Sequence, residues 1–373
     1  MAPVRVLQVV GQMSRGGVET WLMQVLRGLD PARVSMEFLV LRAERGDYED
    51  EIEALGAAVV RCPSPSRPIG FARRLSALLR ARGPYHVVHS HVHHFSGLVL
   101  LLARRAGVPV RIAHVHMDSA ALDASAAPPR RLYLRLMEAA VRRHATHGFA
   151  VSEAAAASLF GPRWREDERF EVARCGLDFS AFRAPAEAAA IRHELGLPQG
   201  ALVLGHVGRF DAWKNQAFLL HVVAAAARRD PRAALVLVGD GPLRAEVAAK
   251  ARALGLGDRV VLTGLRTDVP RLLGALDVFV FPSLHEGLPL VALEAQAAGL
   301  PLVVADHLTR ELTVLPDLFT WLPLAAPHEA WAEAALAAVR RRAPAADAVA
   351  ALERSDFSLA RSMSGLLAAY GAA

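Results

Sequence analysis

The sequence predicts an α/β chain built as two doubly wound, Rossmann-like parallel-sheet domains. Short apolar runs alternate with longer helix-periodic stretches, which is the pattern of a parallel sheet covered by helices. The alternation restarts near residue 202 after a break. A chain of 373 residues also exceeds one ordinary hydrophobic core, so two domains are expected. Strands are predicted in the first half over residues 4–10, 35–41, 59–61, 87–89, 110–114 and 148–151. In the second half they are predicted over 202–207, 234–238, 260–263, 278–281 and 302–305. Residues 172–192 read as the connection, with Gly176 and Pro185 marking it. The expected domains are 1–178 and 179–356, with an amphipathic helix in 357–373.

Composition narrows the function classes. The chain is 53% hydrophobic and 21% charged, so it can bury large cores. No stretch reaches the roughly 18 apolar residues of a membrane span, and the first residues run straight into a strand pattern with no signal-peptide layout. The two cysteines, Cys62 and Cys175, form no CxxC, which suits a reducing cytoplasm and excludes a disulfide framework. Residues 1–180 carry 24 Lys and Arg against 18 Asp and Glu, whereas residues 181–373 carry 19 of each, so the whole +6 excess sits in the first half. It clusters at Arg73, Arg74, Arg80 and Arg82 and again at Arg130, Arg131, Arg135, Arg142 and Arg143. Either these are solvated helix faces, or they form a surface for anionic lipid or a diphosphate-linked acceptor. No nucleic-acid recognition motif accompanies them.

An open parallel sheet binds ligands beyond the carboxyl ends of its strands, and the candidate motifs all follow strands. After residues 4–10, Gly16 and Gly17 open a helical pattern from Thr20, where backbone N–H groups can approach a phosphate. A tight structural turn explains the same glycines, and the GxGxxG dinucleotide fingerprint is absent. After residues 202–207 come Arg209 and Lys214, both placed to neutralise a diphosphate. Lys214 is one of only two lysines, with Lys250, in an arginine-rich chain, so a compact point charge is wanted there. Gly239 ends another strand in a glycine turn that serves either a nucleotide or plain packing.

The segment from Pro282 to Ala295 is the most specific. A helix starting near Pro289 leaves Glu286 in the preceding loop and puts Glu294 about a turn inside, with both carboxylates toward one cleft. Amides of Gly287, Leu288 and Leu290 aim the helix N-terminus at a phosphate or sugar. Two carboxylates in so apolar a segment are costly to bury without polar partners.

Histidines mark the first half. His89, His91 and His93 alternate in strand register, and His114, His116 and Asp118 follow the next strand. No acidic or cysteine ligand set is spaced with them, so a metal site is disfavoured. A hydrogen-bonding rim for the acceptor and donor sugar, built from His91, His93, His116 and Asp118, is preferred over satisfied structural histidines.

With these motifs in place, the sequence resembles the family 4 retaining glycosyltransferases of GT-B fold, in particular bacterial members that build capsule and exopolysaccharide units. The resemblance spans nearly the whole chain. It rests on GGVET, RIAHVHMD, AVSEAA, RCGLDFSAF, HVGRFDAWKN, LVGDGPL, LTGLRTDVPRLL and FPSLHEGLPLVALEAQAAGLPLV. It implies two domains facing a central cleft, with the terminal helix returning to the first domain. Arg209 and Lys214 match the diphosphate grip, and Glu294 the carboxylate on the donor ribose. Glu286 matches the one beside the donor sugar, and Gly16 and Gly17 the loop closing on the diphosphate. His116 matches the histidine on the sugar, though His114 lies one pleat away. Thr263, Gly264 and Leu265 match the segment lining the base. Cys175-Gly176 departs from the Asn-Gly of many relatives, which weakens any role for that linker residue.

The implied reaction transfers a sugar from a UDP-sugar or GDP-mannose to a hydroxyl of a saccharide or polyprenyl-diphosphate-linked acceptor, with retention. No Asp-x-Asp motif appears, so neither a metal nor a separate cofactor is expected. The expected location is the cytoplasm, peripheral to the inner membrane face. A nucleotide-sugar 2-epimerase and a non-catalytic nucleotide-sugar-binding partner are the alternatives.

Overall fold

The computed structural model describes residues 2–63, 68–184 and 187–372. Pro185, expected to mark the linker, lies outside them. The chain forms two compact units, Met1–Leu177 with Leu359–Ala373, and Asp178–Ser358.

The sheet of the first unit has seven strands: β1 (Val4–Val10), β2 (Val34–Val40), β3 (Ala58–Arg61), β4 (Val87–Ser90), β5 (Val110–Val115), β6 (His147–Ala150) and β7 (Phe170–Val172). Their order is β3-β2-β1-β4-β5-β6-β7 and every pairing is parallel. Val6, Leu7, Val9 and Val10 of β1 are all fully buried. Both faces of that strand are therefore covered, and its sequence reads as one apolar run rather than an alternation. The terminal helix Leu359–Tyr370 packs on the Gly17–Gly28 helix in this unit, where Trp21 Nε1 donates to Ser362 Oγ at 3.3 Å.

The second unit has six strands: β8 (Leu202–Val207), β9 (Ala233–Val238), β10 (Val260–Gly264), β11 (Val278–Phe281), β12 (Leu302–Ala305) and β13 (Phe319–Leu322). The order is β10-β9-β8-β11-β12-β13, again all parallel. Each sheet reverses its winding once, between β1 and β4 in the first unit and between β8 and β11 in the second. Such a switch point leaves a crevice at the carboxyl ends of its two strands.

Two strands were not expected. β7 and β13 are short, lie at sheet edges and carry polar residues in FEV and FTWL, so they lack the apolar run that marks the central strands. β7 also takes Val172, which the sequence assigned to the connection. The Gly17–Gly28 helix begins three residues before Thr20, because an extended Gly16 already serves as its N-cap.

Candidate functional site

The switch point of the second unit gathers the acidic and basic candidates. The loop after β8 is built from within. Asp211 accepts from the amides of Trp213 and Lys214 at 3.1 and 3.2 Å, capping a single 3₁₀ turn, and Asn215 then adopts φ +54°. This turn is stitched to the loop after β11. Leu284 N donates to the Trp213 carbonyl at 2.7 Å, and Asn215 Nδ2 donates to the Pro282 carbonyl at 3.2 Å. Gln216 Nε2 also holds the Arg209 carbonyl at 2.8 Å.

The stitching brings Lys214 Nζ to 2.5 Å from Glu286 Oε1, with both side chains mostly buried. The ammonium also lies 5.6 Å from the centre of the Phe281 ring. Beneath it is His206, which is 1% exposed. Burial first, and the Lys214 charge second, push the His206 pKa down to about 3. His206 is therefore neutral. Its Nδ1–H donates to the Val280 carbonyl at 3.1 Å, and Nε2 has no partner.

Two further charges have no partner among the described residues. Arg209 is exposed and its guanidinium makes no hydrogen bond or ion pair. Glu294 sits on the Leu290–Ala297 helix, whose N-cap is Pro289, and nothing bonds its half-buried carboxylate. Burial alone pushes its pKa up to about 7. The amides of Gly287, Leu288 and Leu290 at the head of that helix donate to no carbonyl among the described residues. A carboxylate, a guanidinium and free amides, all in the segments that follow the neighbouring strands β8 and β11, suit a ligand with hydroxyls and an anionic group.

Glycine is required where these loops meet. Gly239 takes φ +132°, its amide donates to the Gly264 carbonyl at 3.0 Å, and a Cβ there would collide with the Gly208 carbonyl. Thr263 Oγ1 turns onto the Gly264 carbonyl at 2.9 Å, Gly264 has φ +73°, and Leu265 is exposed. Beside them an open groove of about 350 Å³ is lined by Asp240, Gly241, Pro242, Arg244 and Leu262. Arg244 was not expected at a site. Its Nε is buried without a partner, and no spacing in the sequence signals this.

At the switch point of the first unit the polar groups satisfy one another. Gln8, His89, His91, His114 and His116 share one face by strand alternation and register. Gln8 Nε2 donates to Tyr370 Oη at 3.0 Å, which leaves Gln8 Oε1 to accept from His91 Nε2 at 2.9 Å. His91 Nδ1 must then accept from His116 Nε2 at 2.8 Å, and His116 Nδ1 faces the Cys175 thiol at 3.7 Å. A second branch runs from Tyr370 Oη to His89 Nδ1 at 2.8 Å and from His89 Nε2 to His114 Nδ1 at 3.2 Å. Burial, reinforced by the neighbouring imidazoles, holds all four histidines well below the usual pKa, so the rack is neutral. Both ring nitrogens of His116 are occupied, and it reaches a ligand only by giving up one of these bonds.

Cys175 supplies the thiol that the sequence spacing hid. His89, His91 and His114, and separately His114, His116 and Cys175, each place possible ligand atoms within 4.8 Å. His93 does not belong to this set. β4 ends at Ser90, and His93 lies in a 3₁₀ turn at φ +51°, with its Nδ1 2.7 Å from His94 Nδ1, so the expected strand alternation stops at His91. Asp118 instead accepts from the Ala120 amide at 2.9 Å. Gly17 is exposed at its helix start, and the Glu19 carboxylate folds back over Gly16, where the sequence led us to expect a phosphate contact. Burial pushes Glu19 up to about 7, opposed by a bond from its own amide.

The chain was compared with known proteins. A family model described as "Glycosyl transferases group 1" matches residues 201–340, and one described as "Glycosyl transferase 4-like domain" matches residues 16–176. EpsF of Bacillus subtilis (strain 168), named as a glycosyltransferase, is 38% identical over 332 residues, 88% of this chain and 86% of that protein. The UDP-Gal:alpha-D-GlcNAc-diphosphoundecaprenol alpha-1,3-galactosyltransferase of Escherichia coli is 28% identical over 253 residues, 65% of each chain. Among solved structures, HepE of Anabaena in complex with UDP-glucose matches with a TM-score of 0.80 at 19% identity, over 98% of this chain and 99% of that one. That likeness is one of fold.

Proposed function

The chain belongs to the group 1, family 4-like glycosyltransferases, and from that membership we propose that it is a hexosyltransferase moving a sugar from a UDP-sugar or GDP-mannose to a hydroxyl of a saccharide or lipid-linked saccharide. The transfer proceeds with retention and without a divalent metal, in the cytoplasm at the inner face of the membrane. One observation carries the reading: Lys214 and Glu286 meet at 2.5 Å after β8 and β11, the neighbouring strands that Arg209 and Glu294 also follow, and those two have no partners among the described residues.

In this reading Arg209 and Lys214 hold the donor diphosphate. Glu294 accepts from the ribose hydroxyls, and Glu286 from the donor sugar. Gly239, Thr263, Gly264 and Leu265 line the base, while the amides of Gly287, Leu288 and Leu290 face phosphate or sugar. Gly16, Gly17 and His116 serve the donor from the first unit, and His91, His93 and Asp118 the acceptor. The bond from the anomeric carbon to the phosphate oxygen breaks. The acceptor oxygen bonds that carbon on the same face, and its proton passes to the leaving phosphate. The protein positions the reactants and stabilises charge on the nucleoside diphosphate.

HepE was solved with UDP-glucose, and the E. coli relative is named for a diphosphoundecaprenol-linked acceptor. Both fit this reading. The test incubates the protein with a panel of UDP- and GDP-sugars and saccharide acceptors, with and without EDTA, and follows the product by NMR. Nucleoside diphosphate and a product of unchanged anomeric configuration, equal in both arms, are expected. An inverted product, loss of activity in EDTA, or a 2-epimerised donor with no transfer would overturn it.

A further inference from the structure

Within the neutral rack of the first unit, three side chains bring ligand atoms together. Cys175 Sγ and one ring nitrogen each of His114 and His116 all lie within 4.8 Å of one another. His114 and His116 stack with ring centres 4.1 Å apart, as residues two apart on one strand face do. Cys175 and His114 are buried and His116 is partly exposed, so the group is reached past His116.

The hydrogen bonds fix which atoms are available. His116 Nε2–H donates to His91 Nδ1 at 2.8 Å, which leaves a lone pair on His116 Nδ1, 3.7 Å from Cys175 Sγ. A ring nitrogen whose opposite N–H is held by another group is the usual state of a metal-ligating histidine. His114 Nε2 is buried without a hydrogen-bond partner, although the Ala173 carbonyl acts on this ring. Metal–nitrogen and metal–sulfur bonds of about 2.0–2.1 and 2.3 Å, meeting at about 110–120°, span about 3.6–3.8 Å. The separation of His116 Nδ1 and Cys175 Sγ matches that edge, and it also lets the thiol donate to the ring.

Charge selects the ion. The charged forms that act on the four imidazoles of the rack are those of other imidazoles, and no carboxylate is among them. A divalent ion with one thiolate would leave a net positive charge buried there without a counterion, which is strongly unfavourable. A monovalent ion with one thiolate and two neutral imidazoles is neutral overall. Soft thiolate ligation favours copper(I).

We propose that His114, His116 and Cys175 form a site for a soft monovalent metal ion, copper(I), that the transfer reaction does not use. As the ion binds, the thiol gives its proton to solvent and the sulfur–metal bond forms. His116 binds through Nδ1 with no change of proton. His114 binds through Nε2 once its proton sits on Nδ1, which then donates to His89 Nε2, while His89 Nδ1 donates to Tyr370 Oη. Every ring in that branch keeps its proton count. An ion held there ties His116 down and inhibits transfer. That consequence rests on the reading that His116 serves the donor, whereas the site itself does not.

The full chain, reduced and free of oxygen, is titrated with copper(I) in competition with bicinchoninate, and X-ray absorption at the copper edge is measured on the loaded wild type. A single ion per chain is expected, with one sulfur and two nitrogen neighbours. Cys175→Ser should weaken binding roughly 100-fold or more, and Cys62→Ser should leave it unchanged. Both variants should keep wild-type melting temperatures and, without the ion, wild-type turnover onto a water-soluble acceptor. One equivalent of copper(I) should lower wild-type turnover about fivefold or more and leave Cys175→Ser turnover as it was. Failure to compete for copper(I), a copper shell without sulfur, or undiminished affinity in Cys175→Ser would overturn the proposal. So would Zn²⁺ binding to the same thiol as tightly. Unchanged wild-type turnover with the ion bound as described would instead strike the role of His116 in the transferase reading and leave the site standing.

Discussion

The two switch points use polar groups in opposite ways. In the first unit, four imidazoles, an amide, a phenol and a thiol are buried together and kept neutral, and nearly every donor finds an acceptor inside the unit. His114 Nε2 is the exception. In the second unit, Arg209 and Glu294 have no partner among the described residues, and Lys214 and Glu286 have mainly each other. Leaving the half-buried Glu294 carboxylate without a partner costs folding free energy, whereas the exposed Arg209 is solvated. The first arrangement is what stability alone selects. The second would be completed by a ligand from outside, which is why we propose the donor grip in the second unit.

Breaking the charged side should have the largest effect. Lys214→Ala is expected to lower kcat/KM by about 10²-fold or more, as for the loss of a group that stabilises developing charge. Steady-state turnover near the wild-type level would remove Lys214 from the reaction. The neutral side should respond in stability. Tyr370→Phe removes the acceptor of the Gln8 bond and the donor to His89, and should cost about 1–3 kcal/mol, seen as a lower urea midpoint with nucleotide affinity unchanged. A variant as stable as the wild type would show that the rack does not tie the terminal helix down.

Glu19 sharpens the contrast, because burial raises the pKa of its carboxyl within the first unit. Its folded pKa of about 7 lies above the usual value of 4.5, so the protonated form is favoured on folding. Its contribution is therefore most favourable below about 4.5 and is lost as pH rises to about 7. Glu19→Gln should match the wild-type urea midpoint near pH 4.5 and exceed it at pH 8. Equal midpoints at both values would show that the carboxyl is not held in that environment.

Much of this is legible in the sequence. The strands at residues 4–10, 202–207, 278–281 and 302–305 coincide with β1, β8, β11 and β12 because central parallel strands are apolar on both faces. β7 and β13 escape notice because short edge strands need no such run. Arg209, Lys214, Glu286 and Glu294 stand out by type and by their place after a strand. Their relation does not. The Lys214–Glu286 pair spans 72 residues and the Tyr370–His89 bond 281, and both depend on which strands become neighbours. Cys175 looked like a linker residue for the same reason, since only β7 and the sheet order carry it to His116. Glu19 folding over Gly16 is local, yet spacing alone says nothing of where that carboxylate turns.

Glu294 tests the central claim most directly, because its carboxylate has no partner among the described residues. Calorimetric titration of UDP and GDP into the wild type and Glu294→Ala should show one nucleotide bound by the wild type and roughly tenfold or greater loss in the variant, as for hydrogen bonds to a charged group. The variant should also melt higher above pH 7, because a carboxyl whose pKa burial raises to about 7 no longer has to ionise in the folded state. Unchanged nucleotide affinity in a folded Glu294→Ala protein would contradict the account.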